Sequence, residues 1–140
     1  AFCRLVSERL YPRVLVAPGP AWGVSFHHMN FPGTITLAPE TFIQVLLEIV
    51  GSLHAHGFER FLFVNGHGGN VQAMGVATGV IKEAVDPAFI GAVSTASRTS
   101  PLVAWSMAAR FSNAVSIVAF RPEVSGVGMA FRFRGRRRRP

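Results

Sequence analysis

The chain is poor in the residues that staple, anchor or address a protein. It has one cysteine, Cys3, which rules out an internal disulfide framework and sets a reducing, cytoplasmic compartment as the expectation. No uncharged apolar run reaches the ~18–20 residues of a membrane span. The longest candidate, Phe42 to Leu53, is interrupted by Gln44 and Glu48. The opening Ala1-Phe2-Cys3-Arg4-Leu5-Val6 has none of the three regions of a secretory leader and no initiator methionine, so it reads as a chain entered midway. Neither Gly-x-Gly-x-x-Gly nor Gly-Lys-Ser/Thr occurs, which places a phosphate-cradling loop well below other readings of the glycine-rich segments. Carboxylates are also few, seven against fourteen basic side chains. Glu40, Glu48, Glu59, Glu83 and Asp86 all fall on expected helix faces or helix ends, so none is assigned to a metal.

What remains is a core-forming body with a basic end. A hydrophobic content of 49% over 140 residues supports one buried core and a single domain. Six basic residues lie at Arg132, Arg134 and Arg136 to Arg139, which leaves residues 1–131 with eight basic against seven acidic side chains. The positive charge is therefore a tail property. Residues 112–140 read as a divergent, Arg-rich, mobile tail behind an α/β body at residues 1–111. Such a tail can neutralise phosphates, but with a neutral body and no RNA-binding signature, nucleic acid is not the expected partner.

Helical spacing runs over residues 2–10 and stops at Tyr11-Pro12, because a residue before proline is pushed out of the α region. Arg13 to Ala17 forms a short strand. Pro18 to Gly33 is rich in Pro, Gly, His and aromatics without a period, and loops this long are usually functional. After the extended piece Thr34 to Leu37, the run Ala38-Pro39-Glu40-Thr41 opens a helix with proline near the first turn and an acid suited to the dipole. Its stripe is Phe42, Ile43, Leu46, Leu47, Ile49, Val50 and Leu53, and Gly57 caps it. Phe61 to Val64 is an apolar strand, Asn70 to Val85 a helix, Phe89 to Val93 a further strand and Pro101 to Phe111 a further helix. Strands alternating with helices imply right-handed crossovers and a mostly parallel sheet.

The strand Phe61 to Val64 ends in Asn65-Gly66-His67-Gly68-Gly69-Asn70, which puts a histidine between glycines at the carboxyl end of a strand, where open α/β folds bind ligands. A neutral imidazole suits zinc, manganese or iron, and glycines leave room for metal, water and substrate. Asn65 and Asn70 either brace the loop or donate to a developing oxyanion. A structural histidine in a tight turn fits the same spacing, and a metal site needs at least three protein ligands. A second constellation is Trp22 to Thr34. Ser25, His28 and Thr34 are within reach of a substrate there, and Trp22, Phe26 and Phe31 can wall a pocket. His27 and His28, adjacent in an extended segment, point to opposite sides, so one of them at most faces any site. Ser25 lacks a nucleophile-elbow context and an acid partner. His54 and His56 near a helix C-terminus are read as dipole-stabilising.

Val16-Ala17-Pro18, Trp22-Gly23-Val24-Ser25 with His28, Phe31-Pro32-Gly33-Thr34-Ile35, Gly57-Phe58 and Val64 to Asn70 together resemble the creatininase (creatinine amidohydrolase) family, most clearly over residues 1–85. The resemblance implies a three-layer α/β/α fold with a mostly parallel sheet. It also implies a divalent-metal hydrolase, with zinc first and manganese or iron as alternatives, that cleaves a C–N bond of a cyclic amide, formamide or related small molecule. In that family the Asn-Gly-His histidine, here His67, binds metal. Asn65 joins it in the catalytic loop, and Ser25, His28, Gly68 and Asn70 match the substrate side. Gly69 stands where creatininase itself has a metal-binding glutamate. Family members carry a Glu-x-His-Gly-like motif upstream and a His-Ala-Gly-Glu-like segment downstream, and neither is found here. The resemblance thus implies the central portion of a homo-oligomeric enzyme, with weak metal binding and little activity of its own. The rival reading is a non-catalytic binding or assembly module, anion-binding through its arginines.

Overall fold

In a computed structural model of the chain, residues 2–94 and 115–120 are described. The order is α1 (Phe2–Leu10), β1 (Val14–Ala17), a 3-10 turn (Phe26–His28), α2 (Pro39–Ala55), β2 (Arg60–Asn65), a second 3-10 turn (Gly68–Asn70), α3 (Val71–Val85), β3 (Phe89–Ser94) and β4 (Val115–Phe120). The expected α/β class holds, and the helices begin and end close to the positions their sequence signals mark. Pro39 occupies the start of α2, where its missing N–H costs nothing, and Gly57 follows its end at φ 84°. Thr34 to Leu37 joins no strand ladder; Leu37 N–H instead donates to Gly23 O at 2.9 Å, tying the long loop to the entry of α2.

The sheet order is β1-β4-β2-β3. β2 and β3 pair in parallel, with Arg60 opposite Phe89 and Asn65 opposite Ser94. β4 runs antiparallel to both β1 and β2, with Ala119 opposite Leu15 on one side and Phe61 on the other. The expectation of a mostly parallel sheet is therefore corrected. β1, β2 and β3 share one direction, as helical crossovers require, but β4 is inserted between the first two and reverses both of their pairings. Val115–Phe120, expected in the tail, form an inner strand of the domain. An apolar run buried on both faces suits that place: Val115, Ile117, Val118 and Ala119 are all buried. The helix expected at Pro101 to Phe111 and the Arg-rich residues 121–140 lie outside the described residues.

α2 and α3 pack against each other and onto one sheet face. Phe42, Leu46 and Val50 recur every four residues along α2 and are fully buried. They meet Ala73, Met74, Ala77 and Ile81 of α3 over Phe61 and Phe63 of β2 and Ile117 and Ala119 of β4. Asn65 continues the alternation of Phe61 and Phe63, so a polar side chain enters the same buried layer at the strand's carboxyl end. No helix of the described residues is long and apolar enough to cross a membrane.

Candidate functional site

Asn65 is fully buried and organises the loop that follows it. Its amide nitrogen donates to His67 O at 2.8 Å and to Ser94 Oγ at 3.2 Å. Its Oδ1 accepts from His67 N–H at 3.1 Å and from Asn70 Nδ2 at 3.2 Å. Asn70, equally buried, accepts the Val24 N–H on its own Oδ1 at 2.8 Å. Two asparagines thus bind the end of β2, the end of β3, the turn before α3 and the long loop after β1 into one frame. With its amide engaged and no exposed surface, Asn65 braces the loop, one of the two roles that the sequence leaves open to Asn65 and Asn70.

Above this frame lies a group of imidazoles. His67 is 8% exposed. Its Nε2 sits 3.2 Å from Val24 O and 3.2 Å from Ser25 Oγ. A carbonyl oxygen only accepts, so Nε2 carries the hydrogen. Ser25, 1% exposed, also has its Oγ 3.3 Å from His28 Nδ1, where its hydroxyl hydrogen finds an acceptor. Ser25, expected on the substrate side, is buried and lies between two histidines. His28 is half-buried, with Phe31 edge-on at 6.1 Å between ring centroids. Gly68 is exposed, and among the described residues nothing lies near its Cα on the side a Cβ would take. Trp22, Phe26 and Phe31 are each more than half exposed on the long loop.

His27 is the residue that the sequence reading set aside. Residues 26–28 form a 3-10 turn and not an extended segment. Successive side chains of such a turn are rotated by about a third of a circle, so neighbours need not point to opposite sides. The His27 ring lies 4.0 Å from that of His28 and 5.3 Å from that of His67, and the rings of His28 and His67 are 5.5 Å apart. One nitrogen from each of the three lies within 4.8 Å of the others, and no carboxylate of the described residues joins them. The adjacent His-His pair is a visible signal; the turn that brings both beside His67 is not.

Glycines allow this approach. A Cβ on Gly69 would overlap Val24 O and come within 2.7 Å of His67 Nε2 and 2.9 Å of His27 Cε1. A Cβ on Gly23 would strike the Asn70 amide. The position at which creatininase has a glutamate is thus filled, in this chain, by the neighbouring loop.

Burial lowers the proton affinity of His28 and His67 below the usual value near 6.5, and the nearby imidazoles add to the effect. For His67 the hydrogen bond to Val24 O opposes the shift. The unfolded chain therefore binds more protons near and below pH 6.5 than the folded one, so stability present at neutral pH is lost as pH falls through that value. Urea midpoints should drop between about pH 7.5 and about pH 5.5, and His28→Gln should flatten the slope; equal slopes in both chains would refute this origin.

The model of the family described as creatinine amidohydrolase matches residues 1–121. The chain belongs to the creatininase family. Within 90 residues it is 43% identical to the mycofactocin precursor peptide peptidase of Mycobacterium tuberculosis, a match over 59% of this chain and 36% of that protein. The protein of the same name from Mycolicibacterium smegmatis is 38% identical over 68 residues, covering 49% of this chain and 27% of the relative. The 3-dehydro-scyllo-inosose hydrolase of Thermotoga maritima is 35% identical over 43 residues, 31% of this chain and 14% of that protein. The chain spans about a third of the length of the first relatives it matches.

Proposed function

We propose that this creatininase-family chain supplies the central part of a metal-dependent hydrolase site that cleaves a C–N amide bond. The observation that carries this reading is His67, its backbone held at the carboxyl end of β2 by Asn65 and its imidazole by Val24 O and Ser25 Oγ, with nitrogens of two further histidines close by. Such a nitrogen donor set fits a divalent cation, with zinc first among the candidates. Bound there, the metal would supply polarisation of the amide carbonyl and a water of lowered pKa.

The chain's own residues do the rest. Asn65 and Asn70 keep His67 from moving with the loop, and Ser25 joins His67 to His28 through one hydroxyl. The exposed Gly68 backbone and the half-buried His28 form the substrate side, flanked by the aromatic side chains of the long loop. Cyclic amides and formamides remain the first substrate class, and the name of the mycobacterial relatives extends the amide to a peptide bond.

The test is amine release from cyclic amides, formamides and short peptides by the longest reading frame containing this chain, supplied with zinc, manganese or iron. His67→Ala should lower kcat/KM at least about a hundredfold, the scale of losing a preorganised electrostatic group. Turnover within tenfold of the parent protein would overturn the assignment.

A further inference from the structure

The backbone of His28 is fixed on both sides. Its N–H donates to Ser25 O at 2.9 Å, and its carbonyl accepts the Phe31 N–H and the Thr34 hydroxyl, each at 2.9 Å. Only the side-chain torsions are left to aim the ring, and the Ser25 hydroxyl meets it at Nδ1. Ser25 is placed in turn through its own N–H, which donates to Thr36 Oγ1 at 2.8 Å.

The donors and acceptors of this buried group follow from one carbonyl. Val24 O accepts from His67 Nε2, so the hydrogen on that nitrogen is also the one that faces Ser25 Oγ, 3.2 Å away. Ser25 therefore accepts from His67. Its own hydrogen then has one acceptor among the described residues, His28 Nδ1 at 3.3 Å. Were His28 protonated on Nδ1 instead, two hydrogens would converge on one oxygen and the hydroxyl hydrogen would have no acceptor at a side chain only 1% exposed, an arrangement that buried donors avoid. A neutral His28 ring thus carries its hydrogen on Nε2, the nitrogen that no hydrogen bond among the described residues engages.

We infer that Ser25 is a positioning residue that holds neutral His28 in the tautomer protonated on Nε2, so that this half-buried ring offers the substrate's amide carbonyl a hydrogen-bond donor. The inference rests on the amide-hydrolase reading above and gives His28 its role on the substrate side. A donor oriented before the substrate arrives gains strength as negative charge develops on the carbonyl oxygen.

The experiment is long-range proton–nitrogen correlation NMR of the imidazoles in the metal-free 140-residue chain, at about pH 8, where the rings are neutral. His28→Gln identifies the His28 signals. Nδ1 of His28 should resonate as an unprotonated nitrogen and Nε2 as a protonated one. Ser25→Ala, checked for folding by circular dichroism, should average the two. A parent spectrum with the hydrogen on Nδ1, or already averaged, overturns the inference and leaves the hydrolase reading standing. In the longest reading frame, Ser25→Ala should lower kcat for amine release at least about tenfold, the scale of losing a partner behind an active-site ligand. KM should stay nearly constant, since the contact strengthens only as charge develops. A kcat equal to the parent's removes the positioning role alone. Absence of turnover in the parent protein overturns the hydrolase reading, and with it the carbonyl donor, whatever the spectrum shows.

Discussion

A chain ending at residue 113 should not fold. The cut removes β4, which lies between β1 and β2 and supplies the register of both. Without it, β1 has no ladder partner among the described residues, and β2 keeps only β3. Val115, Ile117, Val118 and Ala119 are all buried, and the branched ones each contribute on the order of 1.5–3 kcal/mol of burial. Adding the exposed faces of Phe61 and Phe63 brings the loss to the scale of a whole domain's stability, about 5–15 kcal/mol. Far-UV circular dichroism and urea titration of the shortened chain should show no cooperative transition. If a sigmoidal transition with the parent's midpoint survives, β4 does not hold the sheet together, and the tail assignment made from composition is the better one.

Asn65→Ala should destabilise the chain by roughly 3–5 kcal/mol. It leaves the buried His67 N–H unsatisfied, at about 1–3 kcal/mol, and removes one hydrogen bond each, at about 0.5–1.5 kcal/mol, from Ser94 Oγ, from the Asn70 amide and from the His67 carbonyl, which keeps the Asn70 N–H. Asn65→Asp keeps the acceptor side but loses both donors and places a carboxylate in a fully buried position, so it should be no milder. Urea denaturation of the two variants gives the size. A loss under about 1 kcal/mol in Asn65→Ala would mean that the frame does not depend on this side chain. Because the same amide sets the position of His67, zinc affinity should fall in either variant even where the fold persists.

Asn65 opens Asn-Gly-His and is visible in the sequence, and its burial follows from strand alternation carried two residues beyond Phe63. β4 is apolar, but Ala114 to Phe120 is followed by Arg121-Pro122 and an arginine-rich run whose composition resembles a tail. A short unbroken apolar stretch bounded by turn residues is the signal of a buried strand, and here it was present.

The sequence by itself determined the three helices, the strands β1 to β3, the family and the loop on which the candidate chemistry sits. Helix stripes, the proline at the start of α2, the glycine past its end and the abrupt close of β2 each arise from residues a few positions apart, within reach of local sterics and capping. The tertiary structure decided the strand order, the reversal at β4 and the meeting of His27 with His67. Those outcomes depend on contacts such as Val24 N–H with Asn70 Oδ1, 46 residues apart, and Val24 O with His67, 43 apart. No local periodicity encodes a contact at that separation. It forms when two loops are brought together by the sheet beneath them and a glycine leaves the space between them empty.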